Sequence, residues 1–358
     1  MKISLIISDI SRVGGTERSV STLANILSQK YEEVEIISVT KTDVEKSYYE
    51  IDPKISMVFL GNAPLPYNLG RKIKWSVSTV KSLRNYFKNN KSDIVISSGH
   101  NYNWLLPYIK TSKKMKIIAC EHIVYSSIPK VSRLFMSLTY RFLDRIVVLS
   151  ERARNSFNNY PKVSVIPNAV PFEGKQESQL IDNQILIVGR LSTEKGLERL
   201  IPLGIHLRGN FPEWKIVVVG DGEERGKLES LIEEVNLTDT IKLMGMSADV
   251  QNYYLQSSIY IMTSHYEAFP MVLIEAQSFG LPIVAFDCPE GPSQIIVNEE
   301  NGYLVKDDQI KDFIYKVSLL IEDESLRKRF GKNGKLNSLK YSKENILMGW
   351  VGLFEELK

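Results

Sequence analysis

Cysteine is scarce: only Cys120 and Cys288 occur in 358 residues, and they lie far apart in the chain. That excludes a disulfide framework and any zinc-type spacing, and it fits a reducing compartment. Long hydrophobic runs are missing too. The opening MKISLIISDI is apolar only as far as Asp9, and no later run reaches about 18 apolar residues. Neither a signal peptide nor a membrane span is expected, and the cytoplasm is the expected compartment. No Asp-x-Asp occurs, so a metal-bridged diphosphate site has no obvious ligands and no metal is expected. The Gly-x-Gly-x-x-Gly fingerprint of dinucleotide sites is absent, as are internal repeats and low-complexity segments.

Acidic residues are scarce in one stretch. Between Lys54 and Cys120 twelve Lys and Arg face one acid, Asp93. Residues 1–170 carry 25 basic against 13 acidic residues and residues 171–358 carry 20 against 29, so the net charge of +3 hides a basic first half. Such a face suits an anionic partner: nucleic acid, an anionic membrane, or a phosphorylated substrate. An ordinary solvated surface is the plain alternative. The segment RKIKWSVSTVKSLRNYFK (71–88) interleaves cations with Trp75, Val80, Leu83, Tyr86 and Phe87, a mixture suited to an anionic membrane surface. Nucleic acid is not the expected partner, because no recognisable module for it is present.

What is present is an alternation of short apolar runs and helical patterns. KISLIIS (2–8), VEIISVT (34–40), SMVFLG (56–61), DIVISSG (93–99), KIIACEH (116–122) and RIVVLS (145–150) read as buried parallel strands. The pattern restarts with QILIVGRL (184–191), WKIVVVGDG (214–222), IKLMGM (241–246), SIYIMTS (258–264) and PIVAFD (282–287). This predicts an α/β protein of two doubly wound, Rossmann-like domains facing across a cleft. The expected division is residues 1–168, a polar linker 169–183 containing Pro171 and Gly174, residues 184–340, and a last helix (341–358) packing back on the first domain. Ligands in such sheets bind beyond the carboxyl ends of the strands, where the motifs should fall.

They do fall there. Gly14-Gly15 precedes a helix whose first amides could meet an anion; a tight turn is the alternative. VGRLSTEKG (188–196) puts Arg190 and Lys195 at a strand–helix turn, where two cations can converge on a pyrophosphate or simply face solvent. VVVGDGEE (217–224) ends a strand in Gly220-Asp221-Gly222, which allows close approach to a ligand. In SHYEAFPMVLIEAQSFG (264–280), Glu267 lies on a loop, Pro270 suits a first helical turn, and Glu275 lies on the second turn. A carboxylate accepts two hydroxyls at once, so the pair could hold a sugar and a ribose. For Glu275 the alternative is a solvated helix face, weakened by the apolar neighbours Leu273, Ile274 and Ala276. His122 and His100 both sit at strand ends; either could be a satisfied polar residue, and His100 could face an acceptor.

Taken together, GG-x-E (14–17), GRL-x-x-EKG (189–196), GDG (220–222) and Glu-x7-Glu (267–275) resemble, in this order, the retaining glycosyltransferases of family 4 with their GT-B fold. The resemblance spans essentially the whole chain, and DCPEGPSQII (287–296) is similar to the donor-sugar loop of bacterial members that build surface polysaccharides. It departs at Gln294, where many relatives have Glu. The resemblance implies that Arg190 and Lys195 hold the donor diphosphate, with Gly189 and Gly220 beside the donor and Gly15 near its diphosphate. It implies Glu275 on the ribose, and Glu267 on the donor hexose beside the Ala268–Phe269–Pro270 backbone. His122 would contact the donor sugar, and Asn168 would match the hinge-region asparagine. No cofactor is implied beyond the donor itself, a UDP-sugar in the first instance. The implied acceptor is a lipid-diphosphate-linked saccharide at the inner membrane face, in O-antigen or capsule synthesis. Two other readings stay open: a GT-B-type sugar-nucleotide epimerase or hydrolase, and a non-catalytic partner subunit that binds nucleotide sugar.

Overall fold

A computed structural model describes residues 1–66, 68–172, 176–289 and 291–358, with only the backbone of Leu69 and His100. Gly174, Glu290 and the side chain of His100 therefore lie outside the described residues. The chain divides into two units, Met1–Pro171 with Lys343–Lys358, and Phe172–Ser342.

The first unit is built on β1 (Lys2–Ile7), β2 (Glu33–Thr40), β3 (Ser56–Asn62), β4 (Ile94–Ser98), β5 (Lys116–Glu121), β6 (Arg145–Val148) and β7 (Val163–Val165). Their order is β3-β2-β1-β4-β5-β6-β7, and each pairing is parallel. The reversal at β1/β4 is the doubly wound signature. β1, β4 and β5 are buried nearly throughout because helices cover both faces of the sheet. On one face the helix Gly15–Ser28 packs with Lys343–Glu356, bringing Tyr31 and Phe354 within 5.8 Å. On the other lie the helices Leu69–Asn89, Leu106–Ile109 and Lys130–Thr139, with Trp75, Phe87, Leu106, Met136 and Tyr140 buried beneath them.

The second unit holds β8 (Gln184–Val188), β9 (Lys215–Val219), β10 (Ile241–Gly245), β11 (Ile259–Met262), β12 (Ile283–Asp287) and β13 (Gly302–Lys306), in the order β10-β9-β8-β11-β12-β13. All of these pairings are parallel as well. Residues expected to form a linker are fastened to this unit: Ser178 donates its N–H to Phe279 O at 2.9 Å, and Leu180 is buried. Their polar composition serves hydrogen bonds rather than freedom. β7 and β13 were not expected; both are short edge strands, which lack the unbroken apolar run of a central strand.

Candidate functional site

In the second unit the site grows from loops at the carboxyl edge of the sheet. Gly189 and Arg190 follow β8, and Lys195 ends a single turn, Thr193–Lys195. Gly196 then takes φ of 58°, and a Cβ there would lie 2.4 Å from Thr263 O. Glycine thus lets this loop lie against the loop after β11. Two bonds fasten them: Thr263 Oγ1 donates to Lys195 O at 2.9 Å, and His265 N–H donates to Glu194 O at 2.8 Å. As a result Lys195 Nζ sits 2.5 Å from Glu267 Oε1, which also accepts from Ser264 Oγ at 3.1 Å. Gly189, Arg190, Lys195 and Glu267 line one pocket above Ile187 and Tyr260. Arg190 is exposed and pairs with Glu194 at 2.8 Å. Each cation expected at a diphosphate thus rests on a carboxylate.

Glu267 leads through Ala268 and Phe269 to Pro270, which caps the helix Met271–Ser278 from outside rather than standing in its first turn. The difference is one residue: Pro270 has ψ of 92°, so the helix begins after it. Of the amides in that first turn, just beyond Glu267, Leu273 N–H donates to Pro270 O at 3.0 Å, and those of Met271 and Val272 precede any helical acceptor. Phe269 is buried with its ring 5.7 Å from that of Tyr341. The loop after β12 leans on the same place, since a Cβ at Gly291 would come within 2.9 Å of Glu267 O. Gln294 ends the turn Pro292–Gln294 in that loop, and its carbonyl accepts from Tyr341 Oη at 3.2 Å.

Glu275 is fully buried and accepts from Tyr254 Oη at 2.9 Å. This removes the solvated-face alternative. Glu275 faces Tyr254 in the interior and is not among the residues lining the pocket with Lys195 and Glu267. Tyr254 is itself held by stacking on Phe279, with centroids 5.2 Å apart. Tyr260 lies between the two glutamates. Burial pushes its hydroxyl well above the usual tyrosine range, and the charges of Glu275 and Glu267 add to that.

The glycines of GDG have a different neighbour from the one expected. A Cβ on Gly220, at φ of 143°, would lie 1.8 Å from Gly189 O, and one on Gly222 would lie 2.3 Å from Leu191 O. The room they leave is taken by the loop after β8, which they hold in place.

In the first unit Gly15 begins its helix, and open space surrounds the position a Cβ would take. His122 follows β5 and lines a pocket with Ser19, Ser98 and Asn168. Asn168 Oδ1 accepts from Ser19 Oγ at 2.5 Å. Among the described residues the buried His122 Nε2 has no hydrogen-bond partner, and burial pushes the imidazole down to about 4, so the ring is neutral at neutral pH.

The comparisons with known proteins fit this geometry. Residues 13–173 match the family model described as Glycosyltransferase Family 4, and residues 172–337 match that for Glycosyl transferases group 1. The chain is 32% identical to the amylovoran biosynthesis glycosyltransferase AmsD of Erwinia amylovora, over 98% of each chain. This chain belongs to glycosyltransferase family 4. A second relative, 27% identical over 100% of this chain and 99% of its own, is the Campylobacter jejuni enzyme named GalNAc-alpha-(1->4)-GalNAc-alpha-(1->3)-diNAcBac-PP-undecaprenol alpha-1,4-N-acetyl-D-galactosaminyltransferase. The fold matches S. aureus TarM, solved with fondaparinux, alpha-GlcNAc-glycerol and UDP, at a TM-score of 0.82 and 17% identity over 99% of this chain and 100% of that one. The two parallel α/β units are those of a GT-B glycosyltransferase.

Several residues of this glycosyltransferase's site escape a reading of the sequence. Arg199 is buried, donates to Thr263 O at 3.0 Å and to Asp307 at 2.7 Å, and lies 4.4 Å over the Phe286 ring. It braces the loop that carries Glu267. His265, which carried no expected task, pairs with Glu198 at 2.8 Å. Tyr254 and Tyr260 position Glu275 and the pocket floor. Only the spacing in EKGLER, with Arg199 four residues after Lys195, hints at any of these. Among the described residues, no group of three or more His, Cys, Asp or Glu could hold a metal ion.

Proposed function

We propose that this glycosyltransferase moves a hexose or N-acetylhexosamine from a UDP-sugar to a lipid-diphosphate-linked saccharide, with retention of the anomeric configuration, in surface-polysaccharide synthesis. The observation that carries the reading is the shared pocket of Gly189, Arg190, Lys195 and Glu267 beside a helix start. Breaking a sugar–diphosphate bond builds negative charge on the leaving group. Fixed cations and first-turn amides offset that charge as it develops. Lys195 would serve the departing phosphate, Arg190 would swing from Glu194 to join it, and Glu267 would accept a donor-hexose hydroxyl. The nucleoside would lie toward Glu275, with Tyr254 and Tyr260 setting how that end of the site is shaped. In retention the departing phosphate oxygen takes the acceptor proton on the same face, so Glu267 is not cast as a nucleophile.

The acceptor reading draws on the relatives, whose names include amylovoran biosynthesis and diphospho-undecaprenol acceptors. The surface of the first unit supports a membrane face. The helices Leu69–Asn89 and Lys130–Thr139 contain no Asp or Glu. Ile73 and Val77 on the first, and Val131, Leu134, Phe135 and Leu138 on the second, are exposed among their cations. That pattern fits peripheral attachment to anionic lipid. Among the described residues, no helix is long and apolar enough to cross a membrane.

The test is calorimetric binding of UDP with EDTA present, followed by a donor screen against a lipid-diphosphate acceptor. UDP binding that survives EDTA and is lost in Lys195→Ala supports the reading. A metal requirement, or binding indifferent to Lys195, would overturn the metal-free diphosphate site. Sugar release without an acceptor would favour the hydrolase alternative.

A further inference from the structure

Below the edge that carries His122 lies a buried polar cluster with no cation in it among the described residues. Glu121, the last residue of β5, is 3% exposed, and Asn103, on the turn His100–Asn103, is fully buried. Asn103 Nδ2 donates to Cys120 O at 2.9 Å and to Glu121 Oε1 at 2.6 Å. Tyr140 Oη donates to the same Oε1 in a short contact. Among the described residues Glu121 makes no ion pair, and two acceptor atoms stay buried with no partner: Glu121 Oε2 and Asn103 Oδ1.

These two facts explain each other. The Asn103 amide cannot be turned over, because its oxygen would then face the Cys120 carbonyl and the carboxyl group, both acceptors. One N–H···O bond between a planar amide and a planar carboxyl leaves one oxygen on each. A buried carboxylate with no counter-cation is costly to hold charged, and a bare buried amide oxygen adds to that cost. A single proton on Oε2 would remove both penalties if the acid donated it to the amide oxygen, closing the pair into a ring. The surrounding groups permit it. Cys120 precedes Glu121 on its strand and His122 follows it, Ser98 lies beside Cys120 on β4, and Tyr140 faces it next to Tyr160 and Tyr125. Arg133 sits over the outer Tyr125 ring.

We propose that Glu121 is a positioning residue that keeps a proton in the folded protein, donated from Oε2 to Asn103 Oδ1, so that an uncharged acid–amide ring fixes the end of β5 and with it the His122 imidazole. Burial independently raises the Glu121 carboxyl to about 7. The inference touches the proposed reaction only through His122, and its readouts need no donor or acceptor.

The experiment compares wild type with Glu121→Gln, which keeps the shape and supplies a fixed N–H to Asn103 Oδ1. Infrared spectra in D2O slightly below neutral pD should show the carbonyl stretch of a buried protonated carboxyl in wild type and its loss in the variant. With 15N-labelled histidine, the His122 ring shifts should step as pH rises through about 7 in wild type, and the step should vanish in Glu121→Gln. Coincident infrared spectra, or an identical His122 titration in both proteins, would overturn the proposal. The wild-type infrared spectrum alone decides the matter if the variant folds poorly: no protonated-carboxyl band below neutral pD sinks the proposal. UDP binding lost for other reasons would leave both readouts intact, so failure of the proposed function is distinguishable.

Discussion

Lys195 Nζ and Glu267 Oε1 lie 2.5 Å apart, although 72 positions separate the residues in sequence. The lysine expected to hold a diphosphate is therefore occupied by the carboxylate expected to hold a sugar. If Lys195 holds the donor diphosphate, donor binding exchanges one anion for another. Lys195→Ala should weaken UDP binding by about 2 kcal/mol, roughly thirtyfold, the size of a hydrogen bond to a charged group. Glu267→Gln should do the opposite: it frees Lys195 and tightens UDP several-fold while lowering sugar transfer. Calorimetry and turnover on the two variants check this. Weaker UDP binding in Glu267→Gln would show that the pair is a scaffold rather than a competitor.

Glu275 and Tyr254 give a second separable effect. Tyr254→Phe removes a buried donor to a buried carboxylate, so a stability loss of about 1–3 kcal/mol is expected by denaturant titration. If the nucleoside lies toward Glu275, UDP affinity should fall in the same variant while affinity for inorganic pyrophosphate does not. Equal loss for both ligands would place Glu275 in packing alone.

The positions of these groups were legible to very different degrees. Unbroken apolar strands such as KISLII announce themselves, and in a parallel sheet each motif at a strand's end must fall on one edge. That is why Gly189, Glu267 and His122 could be placed from the sequence. What no local pattern carries is the partner. Tyr254 meets Glu275 across 21 residues, Arg199 reaches Asp307 across 108, and Tyr140 reaches Glu121 across 19. The glycines of GDG show the same limit: that they permit a close approach was readable, but whether ligand or neighbouring loop fills the space was not.

That limit yields a contrast between two glycines. A Cβ at Gly220 would overlap Gly189 O at 1.8 Å, and its φ is 143°. Gly220→Ala should destabilise by about 3 kcal/mol or more and disturb the Lys195 loop indirectly. At Gly15 nothing lies within 4 Å. Gly15→Ala should leave stability within about 0.5 kcal/mol, so any loss of donor affinity there reports approach of a ligand. Thermal unfolding beside UDP titration separates the two cases, and unchanged affinity in Gly15→Ala would remove that residue from the site.

His122 and Glu121 should pull stability in opposite directions with pH. Burial lowers the His122 imidazole to about 4 from an ordinary 6.5, so the unfolded chain takes that proton first on acidification. The stabilisation tied to the neutral ring is complete above about 6.5 and lost as pH falls through about 4. Glu121 is raised to about 7 from 4.5, so the stabilisation tied to its proton is complete below about 4.5 and lost as pH rises through about 7. Wild type should therefore be most stable, with respect to this pair, in the interval between. Glu121→Gln should flatten the alkaline side, and His122→Asn the acidic side. Urea titrations across that range check both, and a variant that shifts the wrong side of the profile would contradict the assignment of protons to these two neighbours.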